Sequence, residues 1–170
     1  MVESKYVVYG LVSGVISGLV SGLIVYFSKE TIINLTYDLM VLEGTPPEAI
    51  ESVKPIINYA IMLSPVLYII QMLIIGAIFG SLEGYLVKKF HLKPVFAALA
   101  TGGIYVTFLM LIPMATLMII DPKIPMLIVK HLGYHIVALP IIVFVAALVF
   151  LSSTDILAPY ISEERVLEEK

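Results

Sequence analysis

Apolar residues fill four long stretches of the chain, and polar residues fall mainly between them. The apolar stretches cover residues 6–27, 66–87, 94–120 and 132–151. A helix rises 1.5 Å per residue, so about 20 such residues cross a hydrocarbon core of about 30 Å. The pattern predicts an all-α, polytopic integral membrane protein: a bundle of about four transmembrane helices that forms one membrane domain over residues 1–170.

The most polar internal stretch, residues 29–54, is expected to be an aqueous loop. Within it, Thr45-Pro46-Pro47-Glu48 has the spacing of a capping box, and proline is tolerated in a first helical turn. A short amphipathic helix is therefore predicted over 46–64, in the outer loop. Pro65 is the expected break before the second span, because proline removes a helical hydrogen bond. The segment 121–131 stays ambiguous.

Composition supports a lipid environment. The chain is 60% hydrophobic and 14% charged, with a mean hydropathy of +1.04. The net charge of -3 comes without a basic cluster, so the lipid bilayer and not nucleic acid is the expected partner. The absence of cysteine excludes a thiolate nucleophile and Cys-ligated metal. Asn occurs twice and Gln once, a scarcity that suits a heat-adapted source.

Charge also predicts orientation in the cell membrane. Four spans place both termini and the 88–93 loop on one side, with six basic residues against four on the other. Positive charge prefers the cytoplasm, so both termini are predicted to be cytoplasmic.

Two rows of glycine recur at four-residue spacing, and a row of serine runs beside the first. Lipid gives helices no hydrophobic drive to associate, so small residues that allow close backbone contact favour packing. We expect the first two spans to pack, in GxxxG fashion, against each other or against a second copy. Ordinary tight packing and an oligomeric ring both remain open. The predicted helix-packing residues are Gly10, Gly14, Gly18, Gly22, Gly76, Gly80 and Gly84.

Glu83 lies three residues after Gly80, on or beside the small-residue side of its span. A carboxylate inside a span is costly and often marks a proton or ion site. Glu83 is therefore the candidate ion or proton site. The alternative is a residue near the cytoplasmic boundary that reaches headgroup water or a lysine.

Prolines 65, 113 and 140 fall in the outer halves of their spans and are expected to kink them. A bundle closed at the cytoplasmic side and splayed outside is one interpretation. Tyr68, Gln71 and His135 would line the outer vestibule; kinks that merely improve packing are the alternative.

His131 and His135 lie one helical turn apart and could face a metal or haem, but further ligands are lacking. Structural histidines at an interface are the preferred interpretation, so no metal and no cofactor is predicted. Nucleotide-binding and hydrolase motifs are missing as well. The sequence favours a non-enzymatic structural or accessory subunit of a homo-oligomer or larger membrane complex. The alternative is a small channel or secondary transporter that uses Glu83.

Overall fold

The computed structural model describes residues 4–157 of the chain, without the side chain of His135. These residues form helices and short connections and contain no strand, and four helices are long and apolar enough to cross a membrane. The predicted all-α membrane fold is confirmed. The acidic tail, residues 162–170, lies outside the described residues.

The helices follow one another with short connections. They are α1 (Ser4–Phe27), α2 (Lys29–Leu42), α3 (Pro47–Phe90), α4 (Pro94–Val106), a π-helical turn (Thr107–Leu111), α5 (Ile112–Ile120) and α6 (Lys123–Thr154). The third span is thus α4, the π-turn and α5 together, over Pro94–Ile120, where the sequence predicts it.

The four spans form a ring in the order α1, α3, α4, α6, in which each helix contacts its two neighbours. We call the end where α1 begins and α3 and α6 end the near end, and the opposite end the far end. Side chains that reach across the ring, between α1 and α4 or between α3 and α6, meet at its centre.

α1 and α3 lie backbone to backbone along their glycines. A Cβ atom added at Gly10 would lie 2.0 Å from the Gly76 carbonyl oxygen, and one added at Gly14 would lie 2.1 Å from the Met72 carbonyl oxygen. At Gly18 and Gly22 the nearest backbone atoms would be 2.7 and 2.4 Å away. Real Cβ atoms do not approach neighbours this closely, so any larger residue would push the two helices apart.

The expected loop over 29–54 is mostly helical. α2 starts directly after α1, because the amide of Ile32 continues the hydrogen-bonding pattern by donating to the Ser28 carbonyl (3.0 Å). Ile32, Leu35 and Leu39 share one face of α2, and Leu35 is buried. Contacts with α3 and α6 cover this face, which explains why polar flanking residues did not prevent helix formation.

The expected break at Pro65 is also wrong. A single helix runs from Pro47 to Phe90, so the predicted separate helix over 46–64 is the first part of α3. Its start agrees with the prediction, with Pro46 as the N-cap residue, although no side chain caps it. Pro65 lies where Gly22 of α1 comes closest to α3. This contact supports the turn that lacks the proline N–H, as neighbouring helices commonly do in membranes.

Two irregular points shape the other spans. In the third span, the Ile112 amide donates to the Thr107 carbonyl, five residues back, just before Pro113, whose missing N–H would interrupt a regular helix. In α6, Gly133 has φ +75° and ψ 155°, a conformation that favours glycine. From Lys123 onward the ambiguous segment 121–131 is a helical arm of α6, and the spanning part of α6 is Ile136–Thr154.

Candidate functional site

The most polar part of the interior lies at the centre of the ring, towards its near end. One side chain from each spanning helix contributes: Ser13 from α1, Glu83 from α3, Thr101 from α4 and Ser152 from α6. Ser13, Glu83 and Thr101 are completely buried, and Ser152 is 5% exposed. We call these four residues the central polar cluster.

Glu83 of α3 is hydrogen-bonded to α6, the helix on the opposite side of the ring. The Ser152 hydroxyl donates to Glu83 Oε1 over 2.5 Å. The other carboxyl oxygen, Oε2, is buried and has no hydrogen-bond partner in the described part of the chain. Glu83 therefore does not reach headgroup water, as the boundary interpretation would require.

Ser13 and Thr101 supply two further unsatisfied oxygens, since neither hydroxyl has a partner among the described residues. Their level in the bundle follows from their neighbours. Ser17 and Tyr105 lie within hydrogen-bonding reach of each other. Ser13 and Thr101 each lie four residues, about one helical turn, before these residues on parallel helices. They therefore sit one turn closer to the near end.

Glu83 lies closer to the near end than Ser13, because Gly76 of α3 faces Gly10 and Gly14 of α1 whereas Gly80 faces Tyr6 and Gly10. The rings of Phe79 and Tyr105 are 5.1 Å apart. Glu83 lies one turn after Phe79 and Thr101 lies one turn before Tyr105, and α3 and α4 run in opposite directions. Both residues thus lie on the near-end side of the aromatic contact.

Aromatic rings separate the central polar cluster from the far end. Tyr105 stacks on Phe144 with ring centroids 4.2 Å apart, and Phe79 meets Phe144 edge-on at 6.3 Å. Tyr105 and Phe144 are almost completely buried. On this level Ser17 also donates to the Pro140 carbonyl over 2.8 Å, which joins α1 to α6.

A second polar group closes the near end. The Tyr9 hydroxyl donates to Asp155 Oδ1, and the Lys5 ammonium lies 3.4 Å from the same oxygen. Asp155 ends α6 in the left-handed conformation (φ 50°), which Asp tolerates better than most residues. The ammonium of Lys5 is also near enough to interact electrostatically with Glu83. We call Lys5, Tyr9 and Asp155 the near-end closure.

The site has chemical consequences. An unsatisfied polar atom in a buried position is costly, and a buried carboxylate is more so, unless water, a proton or a cation accompanies it. Three such atoms, from three helices, are buried in this half of the bundle. The arrangement can bind a proton or a small cation at Glu83.

Other residues singled out by the sequence lie elsewhere. Tyr68 is half-buried and Gln71 is exposed on α3, while the side chain of His135 is outside what the structure describes. The outer vestibule therefore stays a prediction. Gly84 is buried beside Glu83.

His131 Nε2 lies 2.9 Å from Asp38 Oδ2, at the far end. Within residues 4–157, no group of three His, Cys, Asp or Glu side chains could hold a metal.

Sequence reasoning found Glu83 but missed its surroundings. The sequence places the serine row of α1 beside the glycine row without giving it a separate partner, whereas in the structure Ser17 donates to the Pro140 carbonyl of α6 and Gly18 faces α3. The pairing of Asp155 with Tyr9 and Lys5 has no signal in the sequence, because these residues lie about 150 positions apart. The four-residue spacing of Tyr9, Ser13 and Ser17 was the available signal. It indicated a polar stripe on α1 distinct from the glycine stripe.

Comparisons with known proteins add no assignment. No family model, curated protein or solved structure matches the chain.

Proposed function

We propose that this protein is a small, non-enzymatic membrane channel or carrier that moves protons or small cations, with Glu83 as its ion-binding group. The observation that carries the proposal is the completely buried carboxyl of Glu83, whose Oε2 has no partner among the described residues. A carboxyl group that served only packing would be expected to have all its oxygens hydrogen-bonded, because a buried unsatisfied carboxyl oxygen is costly.

The surroundings of Glu83 support a transport role. Towards the far end it is shielded by the rings of Phe79, Tyr105 and Phe144, and towards the near end by the near-end closure. An ion at Glu83 would be separated from water on both sides. Alternating access to such a site requires only that one of these two barriers opens at a time.

The test is flux through reconstituted liposomes. We expect the wild-type protein to dissipate an imposed gradient of protons or Na⁺, and Glu83→Gln to lower the rate at least about tenfold, the effect of losing an interaction worth about 1.4 kcal/mol. Glu43→Gln is the matched control, because Glu43 is exposed between α2 and α3. Thermal unfolding checks that Glu83→Gln is folded. Equal flux in wild type and Glu83→Gln would refute the proposal, as would wild-type flux no greater than that of empty liposomes.

A second candidate function is an accessory subunit of a homo-oligomer or larger membrane complex. An apolar groove of about 650 Å³ runs between α4 and α6, lined by Leu99, Val106, Ile142, Val145, Ala146 and Phe150 among others. Such a groove on the outer surface of the bundle fits a partner helix. Within one chain the glycines of α1 and α3 already pack against the backbone of the other helix. A partner would therefore have to bind another surface.

The mass of the complex extracted in native nanodiscs tests this second candidate. A complex larger than one chain, dispersed by Ala146→Trp in the groove but not by Ile119→Trp on exposed α5, would support it. A single chain in nanodiscs would remove it.

We also propose that the protein lies in the cell membrane with both termini on the cytoplasmic side. Because the chain has no cysteine, single cysteines at Ser4 and at Thr45 report the near and far ends without background. We expect a membrane-impermeant maleimide to label Thr45→Cys in intact cells and not Ser4→Cys. The opposite pattern would reverse the orientation.

A further inference from the structure

Lys5 and Glu83 lie at about the same level of the bundle, on the adjacent helices α1 and α3. A Cβ atom added at Gly80 would lie 2.3 Å from the Tyr6 carbonyl oxygen, which fixes the register of the two helices at this point. Because α1 and α3 run in opposite directions, Lys5 is one residue and Glu83 three residues further towards the near end. The Lys5 ammonium is accordingly close enough to interact electrostatically with Glu83.

The Lys5 ammonium lies at the boundary between water and the interior. It is 3.4 Å from Asp155 Oδ1 and 5.2 Å from the centre of the ring of Tyr6, which is buried. The side chain of Lys5 is 27% exposed and that of Asp155 is 52% exposed. An ion pair with an exposed carboxylate contributes little to stability, so Asp155, which also accepts from the Tyr9 hydroxyl, can release Lys5 at small cost.

Glu83 and Asp155 are also connected through α6. Ser152, which donates to Glu83 Oε1, precedes Asp155 by three residues, so these two side chains lie on the same side of α6. One ammonium group is therefore near two carboxyl groups. The first is half-exposed and in contact with Lys5, and the second is buried with an oxygen, Oε2, that lacks a partner among residues 4–157.

We propose that Lys5 is the mobile counter-ion of Glu83 and that the ion moved by the protein is a proton. This inference rests on the proposed function and names its ion. While Glu83 carries the proton it is neutral, and Lys5 pairs with Asp155 as in the structure. When the O–H bond breaks, its electrons stay on the Glu83 carboxylate and a water molecule at the near end takes the proton. Lys5 then moves on its flexible stem from Asp155 to Glu83, so the buried charge is paired and not isolated.

A proton suits this site better than a metal cation. Hard cations take several oxygen ligands, whereas a protonated carboxyl is complete with one. The positive charge of Lys5 opposes a metal cation at Glu83 but not a neutral carboxyl. The other titratable side chains that α1 brings to this end are Tyr6 and Tyr9, and α4 has none before Tyr105. Tyrosine is neutral at physiological pH, so Lys5 is the cation that these helices place at Glu83.

Infrared spectroscopy of the full-length chain in liposomes at neutral pH tests the exchange of partners. A protonated carboxyl absorbs separately from a carboxylate, and Glu83→Gln identifies the band of Glu83. We expect wild type to show this band and Asp155→Asn to lose most of it, because Lys5 then pairs with Glu83 and stabilises its ionised form. Adding Lys5→Met to Asp155→Asn should restore the band. Asn tolerates the left-handed conformation of residue 155, so the backbone is kept.

Proton flux through the same liposomes gives a second readout. Lys5→Met should lower the rate at least about tenfold, because the ionised Glu83 loses its counter-ion. Lys93→Met is the matched control, since Lys93 is an exposed lysine at the near end, and it should change neither the flux nor the band. Wild type should carry protons and not Na⁺. Thermal unfolding checks that each variant is folded.

The inference would be overturned by a missing Glu83 band in wild type, by equal bands in wild type and Asp155→Asn, by wild-type flux in Lys5→Met, or by Na⁺ flux that depends on Glu83. Each of these results would leave the proposed function intact if Glu83→Gln still lowered ion flux. Conversely, the expected spectra without flux in any variant would uphold the exchange of Lys5 between the two carboxyl groups and refute transport.

Discussion

α1 and the third span are almost equally apolar, yet they are used differently. Their mean hydropathies are 2.0 and 2.2, but 39% of the most apolar window of α1 is buried within the chain against 6% of that of the third span. α1 carries Gly and Ser at four-residue spacing, while residues 104–120 carry mostly large side chains. In lipid, therefore, the size of the side chains decides which helix packs, because hydrophobicity does not distinguish lipid from protein.

The largest test of this comparison exchanges glycine for leucine on both helices. Gly14→Leu is expected to destabilise the bundle by more than about 5 kcal/mol, because its Cβ would meet the Met72 backbone at 2.1 Å, which cannot move aside as a side chain can. Gly103→Leu on α4 should fold normally, since nothing lies within 4 Å of its Cβ position. Unfolding in mixed micelles with increasing SDS measures both. Similar stabilities would contradict the size argument.

A core truncation should have the next largest effect. Leu148 of α6 is completely buried, and Leu148→Ala is expected to cost about 2–5 kcal/mol through lost contacts and a residual cavity. Ile119 in the third span is 85% exposed, so Ile119→Ala should change stability by less than about 0.5 kcal/mol. The same SDS titration compares the two, and a larger loss at Ile119 would show that the third span is packed more than its exposure indicates.

Hydrogen bonds provide a third comparison. Ser17→Ala removes the bond to the Pro140 carbonyl and should cost about 0.6–1.7 kcal/mol, the range for contacts between membrane helices. Thr116→Ala in the third span loses only a bond to its own helix, at Ile112, and should be nearly neutral. If the two variants unfolded at the same SDS fraction, the link between α1 and α6 would not contribute to stability.

The smallest effect is expected at the one glycine of the third span that meets a neighbour. A Cβ at Gly102 would lie 2.7 Å from Val145 Cγ1, a side-chain atom that can shift by rotation. The gain in helix propensity of up to about 1 kcal/mol offsets part of that strain, so Gly102→Ala should change stability by less than about 1 kcal/mol. A loss as large as that of Gly14→Leu would refute the distinction between backbone and side-chain neighbours.

Prediction from sequence succeeded where the deciding property is local. Runs of apolar residues identify the four spans, and the bounds of the third span, residues 94–120, agree with the structure. It failed where contacts between distant residues decide. Pro65 does not end a helix because α1 supports α3 there, and residues 29–42 are helical because α3 and α6 cover one face of α2.

The sequence by itself determined that the chain has four stretches long and apolar enough to cross a membrane, that α1 has small residues at helical spacing and that one carboxylate lies inside such a stretch. These are properties of each segment and its solvent. Only the tertiary structure decided that Glu83 meets Ser152 across the ring, and that the hydroxyls of Ser13 and Thr101 are buried without partners among residues 4–157. The reason is that the register between helices is set by packing over many residues, so no single segment contains the information about which polar side chains meet.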